Sequence, residues 1–421
     1  VRLLRKTGCE DGVLGPGVLE GGCRGQIKTR ENGKEARPVT EEHHIICAGK
    51  EAGEQLHIHV PGQAEYIIET LRSSGFEACV VGGCVRDSLL GRMPGDWDVT
   101  TSALPHQVKA LFHRTVDTGI AHGTVTVLMG REAYEVTTYR IDGEYEDNRH
   151  PKNVEFTSSL EEDLKRRDFT INAMAYSSHT GLVDLFGGVR DLEKGLIRCV
   201  GDPMERFGED ALRILRALRF SAQLGFAVEE NTRKALRALA PSLAHVSKER
   251  IQTELTKLLL SGRPEFIETV FEDGLAPFVC PGFPAIEPRG IRIDHRLPAL
   301  RHLRWAALLC RQTEAQAKQI LKELKMDNDA IRRVRLLVRW WKEPAGAEEV
   351  SLRRTMSRMT EEQFDDLITF KRFMPGSPES AGELERMEEL IGRIRSRGDC
   401  VSLKTLALSG RDLIGLGMKP G

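Results

Sequence analysis

Residues 80–87, VVGGCVRD, set the strongest constraint on what this chain can fold into. An apolar run ends at Gly82-Gly83 and a helix start follows, so the segment predicts strand, tight turn and helix. Glycine lets a backbone approach phosphate oxygens closely, and the free N–H groups of a helix start favour anions. The turn matches neither G-x-x-x-x-G-K-[ST] nor G-x-G-x-x-G, so neither a P-loop NTPase nor a Rossmann dehydrogenase is indicated. Shortly afterwards, GDWDVTT places Asp96 and Asp98 one residue apart. In an extended chain these carboxylates share one face while Trp97 points into the opposite layer. Such a pair repels itself unless a divalent cation sits between, and oxygen ligands with open positions suit Mg²⁺ holding a nucleotide's phosphates. A solvated acidic turn is the plainer alternative for a lone D-x-D.

The rest of the chain divides by periodicity. Residues 1–56 are rich in glycine and charge with little apolar pattern, and are expected to be a disordered or non-native extension. From Pro61, QAEYIIETLRSSG places Ala64, Ile67, Ile68 and Leu71 on one helical face and stops at Gly75. FEACVVGG predicts a buried strand, with further strands at 122–129 and 134–140. After about residue 160 helical periods dominate, which predicts an α+β head followed by a long helical remainder. With 40% hydrophobic and 29% charged residues the chain is a soluble globular type, and no apolar run approaches a membrane span. A cytoplasmic location is therefore expected. The nine cysteines are scattered without a C-x-x-C pair, which argues against a disulfide framework or a zinc site. The net charge of −1 gives no bulk attraction to nucleic acid, so RNA contact would need a local basic face. Residues 331–342, IRRVRLLVRWWK, offer one, although ordinary amphipathic packing accounts for that spacing equally well.

Two further clusters carry chemistry. In DLKRRDFTINAMAY, residues 163–176, Arg166, Arg167 and Asp168 precede an apolar run containing Asn172 that reads as helical. Guanidinium groups neutralise a triphosphate and an aspartate accepts from ribose hydroxyls; a basic helix start with a structural Asp is the alternative. RFGEDALRILRALRF, residues 206–220, reads as one helix, with Leu212, Leu215 and Leu218 on one side and Glu209, Arg213 and Arg216 on another. Asp210 lies three residues before Arg213. The pair is either an intrahelical ion pair or a donor–acceptor edge able to mimic base pairing.

The order GGCVRD, DWDVTTSALP, HGTVTV, EVTTYR, RRDFTINAMAY, EDALRILRALRF closely resembles the bacterial class II CCA-adding enzymes, tRNA nucleotidyltransferases of the polymerase-β-like superfamily. The resemblance implies that Asp96 and Asp98 hold two Mg²⁺ ions and that Gly82, Gly83 and Arg86 cradle the triphosphate. It makes Arg167, Asp168 and Asn172 ribose and phosphate contacts. Asp210 and Arg213 become the base-reading pair for CTP and then ATP, with Arg216 beside them, and Glu135 stands where related polymerases place a third carboxylate. Residues 140–156 resemble the loop that lets the base-reading site switch from C to A. The implied layout is a mixed-sheet head at 57–195, a helical neck for base selection at 196–265, a helical RNA-binding body at 266–390 and a partial helical tail at 391–421. Arg332, Arg333, Arg335 and Arg339 then become candidate RNA contacts. The partners implied are the tRNA 3′ end, CTP and ATP; a homodimer is possible on this reading and no other protein partner is evident. The family's tail normally continues beyond a segment such as LKTLALSGRDLIGLGMKPG, and weakened tRNA anchoring is expected from an incomplete one. An A-adding relative, a bacterial poly(A) polymerase and a catalytically inactive RNA-binding protein are the rival readings.

Overall fold

The computed structural model describes residues 57–143, 154–287, 293–346, 348–402, 406–408 and 410–419. The expected N-terminal extension and the central part of the predicted switching loop, 144–153, lie outside the described residues, as do 403–405, 409 and 420–421 of the tail segment.

Helix α1 (Gly62–Ser73) forms as its pattern predicts. Ala64, Ile67, Ile68 and Leu71 are all buried, and Gly75 ends it at φ 89°. Strand β1 (Ala78–Val81) is buried along its whole length and runs through Gly82 into α2 (Gly83–Leu89). The other head strands are β2 (Val99–Thr101), β3 (Thr115–Gly119), β4 (Thr124–Met129) and β5 (Glu132–Thr138), then the hairpin β6 (Arg140–Asp142) and β7 (Val154–Phe156), then β8 (Met174–Ser177) and β9 (Gly181–Asp184). Seven of them make one sheet in the order β3-β4-β5-β2-β1-β8-β9. It is mixed: β2 runs parallel to β5 and every other neighbouring pair is antiparallel.

Two sequence expectations fail here. The run INAMAY is not helical; Thr170–Asn172 make a single 3₁₀ turn and β8 follows, buried throughout between β1 and β9. A short apolar run fits a buried strand as well as a helix, and pairing on both edges decides for the strand. Residues 206–220 are likewise not one helix. Helix α6 (Pro203–Glu209) stops and α7 (Leu212–Leu224) restarts, because Asp210 adopts extended angles (φ −139°, ψ 103°) and its carboxylate accepts from the Leu212 N–H at 3.0 Å. A side chain that satisfies a free N–H of a new helix caps it and breaks the old one.

Beyond the head the described chain is helical, apart from a two-residue parallel pairing of Leu196–Ile197 with Ala227–Val228. Helix α9 (Lys248–Leu259, numbered after α8, Glu230–Ala238, and with α5 at Gly188–Glu193) packs along α7. It buries Ile251, Leu255, Leu258 and Leu259. One hydrophobic core runs from the head sheet through these helices to Met374, and a second, smaller one gathers Leu352, Phe364, Leu384 and Ile391 around the last long helices. Five of the described cysteines, Cys79, Cys84, Cys199, Cys280 and Cys310, are buried free thiols. Among the described residues no helix is long and apolar enough to cross a membrane.

Candidate active site

The site grows from the ends of β1 and β2. Asp96 and Asp98 precede β2 directly, and the Asp98 carbonyl accepts from Val81 N–H at 3.0 Å, which extends the β1–β2 ladder to the aspartate. Trp97 is half-buried and packs against the main core, as alternation predicts. The parallel register sets Val99 beside Val136, so Glu135 on β5 stands beside Asp98 at the start of β2. Burial, the Asp96 charge and the Glu135 charge together push the Asp98 carboxyl up to about 6, against a smaller opposing effect of Arg167. Among the described residues no three carboxylate, imidazole or thiol groups close up to metal-ligating distance. The donor set still fits a hard dication, since like charges crowded on Asp98 are relieved by a cation between them.

Gly82 turns the chain from β1 into α2 with φ 81° and ψ −124°, angles that a side chain strongly disfavours. A methyl group placed on it would lie 3.1 Å from Nη1 of Arg167. The guanidinium of Arg167 therefore stands against the glycine turn and, through its effect on Asp98, near the carboxylates.

A second chain of bonds joins α2, the 3₁₀ turn and α7. Asp168 is buried, and its Oδ1 accepts from Phe169 N–H at 2.9 Å and from Asn172 Nδ2 at 3.0 Å. Its Oδ2 accepts from Nε and Nη2 of Arg216 at 2.8 and 2.5 Å. Desolvation alone would raise its pKa, but Arg216 and the Asn172 amide outweigh it and hold the carboxyl down at about 2. Asn172 in turn accepts from Nη1 of Arg86 at 2.6 Å, while the rest of that guanidinium is bidentate on Asp87 at 2.9 Å. Phe220 of α7 lies beneath the guanidinium groups of Arg86, Arg216 and Arg219, 5.1, 5.4 and 3.9 Å from its centroid.

The side chains of Asp210 and Arg213 are each engaged by other partners. Asp210 Oδ2 accepts from Arg250 of α9 at 2.7 Å, and Arg213 bonds Glu209 and donates to the Arg206 and Arg166 carbonyls at 3.0 and 3.1 Å. Arg250, forty residues downstream, had no sequence signal tying it to Asp210. Asp163 was also missed, although an aspartate three and four residues before two arginines at a helix end is a readable pattern.

The candidate RNA contacts lie apart, on helix Asn328–Trp340. Arg332 pairs with Asp329, Arg333 with Glu362 and Asp366, and Arg335 with Glu314, while Arg339 is 3.9 Å from Glu314 and its guanidinium 5.5 Å from the Trp340 ring. Most of their charge is compensated within the protein.

A mixed sheet with a strand–glycine–helix turn facing paired aspartates, followed by helices, defines a nucleotidyltransferase. Residues 78–198 match the poly A polymerase head domain, and 225–286 match the probable RNA and SrmB-binding site of polymerase A. The chain belongs to the CCA-adding enzyme family. It is 46% identical to the CCA-adding enzyme of Leuconostoc mesenteroides over 65% of this chain and 70% of the relative. It is 39% identical to that of Bacillus licheniformis over 84% of this chain and 88% of the relative. The crystal structure of the Bacillus stearothermophilus CCA-adding enzyme in complex with CTP superposes with a TM-score of 0.71 at 35% identity, covering 85% of this chain and 88% of that one.

Proposed function

We propose that this chain adds C, C and A in turn to the 3′ end of tRNA from CTP and ATP, without a nucleic-acid template. The observation that carries the reading is the Asp96, Asp98 and Glu135 group set beside the Gly82 turn and the Arg167 guanidinium. Full-length relatives named for CCA addition favour it over a poly(A) polymerase. On this reading residues 57–195 form the head, 196–265 the neck, and 266 onward the body and tail that meet the tRNA.

The tRNA 3′ oxygen attacks the α-phosphorus, a new phosphodiester bond forms, and the bond to the β-phosphate oxygen breaks to release pyrophosphate. Asp96 and Asp98 would hold Mg²⁺, which when bound neutralises the triphosphate and lowers the pKa of the attacking hydroxyl. Gly82 and Gly83 let the backbone approach the phosphates, while Arg86 and Arg167 supply charge-assisted donors to them. Asp168, Asn172 and Arg216 form a prearranged edge for the ribose. Asp210 and Arg213 present acceptor and donor to the base once each exchanges its present partner for the nucleotide. The protein's work is chiefly positioning and neutralisation, so no covalent intermediate is needed.

Asp96 is exposed and makes no structural bond among those described, so Asp96→Ala should abolish nucleotide incorporation and leave the melting temperature unchanged. Undiminished incorporation by this variant refutes the assignment of the carboxylates.

A further inference from the structure

Asp163 has no part in the scheme above, yet it is a fully buried charge a few ångströms from the site. It lies in α4 (Leu160–Lys165), whose first turn is capped by Ser159. Its Oδ1 accepts from Nε and Nη2 of Arg166 at 3.0 and 2.7 Å, and its Oδ2 accepts from Nη2 of Arg167 at 3.3 Å. The same Oδ2, at 3.2 Å, shares the single hydroxyl proton of Thr100 with the Thr137 carbonyl at 3.3 Å. Thr100 is two residues beyond Asp98 on β2. One carboxylate therefore ties the arginine pair to the strand that carries the catalytic aspartates.

Burying a carboxylate is costly unless charged donors surround it, and here the arginines hold its pKa below the ordinary range despite desolvation. The arrangement fixes Arg167 in turn. An arginine side chain loses rotamer freedom when it is held in place. Arg167 meets that loss in the folded protein, before any nucleotide arrives. Its Nε is buried without a partner, and its Nη1 faces the Gly82 turn.

We infer that Asp163 is a positioning residue that pre-orients Arg167 over the Gly82 turn to receive a nucleoside triphosphate, and that Thr100 locks this arrangement to the catalytic strand. The inference rests on the reading of Arg167 as a phosphate contact. It concerns the triphosphate that CTP and ATP share, so it predicts an effect on both nucleotides and none on the choice between them.

The test is a double-mutant cycle on full-length protein, reading KM and kcat for CTP and ATP separately with a tRNA acceptor. Asp163→Asn is expected to raise KM about tenfold for each nucleotide and to leave the preference between C and A unchanged. In an Arg167→Gln background the same substitution should add less than twofold, because the group it positions is already gone. Fully additive effects, or a loss confined to melting temperature with KM intact, would overturn the inference. If Arg167→Gln alone leaves KM unchanged, the phosphate-contact reading fails, a result separable from failure of the Asp163 step. Should Asp163→Asn not fold, Asp163→Glu takes its place in the same cycle, and additivity there overturns the inference equally.

Discussion

Replacing Asp168 with asparagine should cost stability in a way that depends on acidity. The wild-type carboxylate accepts four hydrogen bonds, from Phe169 N–H, Asn172 and two nitrogens of Arg216. Asparagine keeps one acceptor oxygen and turns an NH₂ toward donors, which leaves the largely buried Arg216 without its counter-charge. Breaking a buried pair from one side costs about 3 kcal/mol, at the low end of the usual range because Arg216 retains partial solvent access. A definite part of this follows pH. The folded pKa of about 2 lies below the ordinary 3.8, so the carboxylate contributes roughly 2 kcal/mol that is present above about pH 4 and lost as pH falls through about 2. Urea unfolding followed by circular dichroism, for wild type and Asp168→Asn at pH 7, 5 and 2.5, isolates the effect, because every other carboxylate titrates in both proteins. The gap between them should be nearly constant from pH 7 to 5 and narrow by about 1.5 kcal/mol at pH 2.5. A gap that stays the same at pH 2.5 would refute the claim that Arg216 holds Asp168 ionised.

Three other substitutions probe other parts of the site. Gly82→Ala places a side chain at φ 81° and crowds Arg167, so it should destabilise by about 1–3 kcal/mol in urea titrations and raise KM for both nucleotides. Arg213→Ala should blur the choice between CTP and ATP in competition assays and, because the buried guanidinium also bonds Glu209 and two backbone carbonyls, should cost about 2 kcal/mol of stability. Glu254→Ala strands the buried Arg219 between α7 and α9, leaving it Gln223 and the Phe220 ring; a loss of about 3 kcal/mol in thermal unfolding is expected.

How far the sequence revealed this site depended on the distance over which each signal acts. The α1 face, β1 with its glycine turn, β4 and β5 were legible because each follows from a local period or a local conformational need. The convergence of Asp96 and Asp98 was legible for the same reason. The pattern around INAMAY was not, because its strand is fixed by pairing with β1, more than ninety residues away, as well as with the neighbouring β9. The break at Asp210 was hidden inside a continuous helical period, since the bond from Leu212 N–H to its side chain leaves no mark in hydrophobic spacing. Neither the link from Asp210 to Arg250 nor that from Thr100 to Asp163 has a local signature at all; each is made by packing of elements distant in the chain. The ion pairs of the basic run at 331–342 were hidden as well. Its arginines stand out in sequence, but acidic residues on neighbouring turns and helices neutralise most of them.

On the proposed reading one protein site adds two different nucleotides in a fixed order to one RNA end. Incorporation of labelled CTP and ATP, with Mg²⁺, into a tRNA lacking the terminal triplet, a tRNA ending in CC and an unrelated RNA tests it most directly. C, C and then A are expected on the first, a single A on the second and nothing on the third. Addition of A alone to the CC-ended tRNA with no C on the first, or long A tracts on the unrelated RNA, would contradict it.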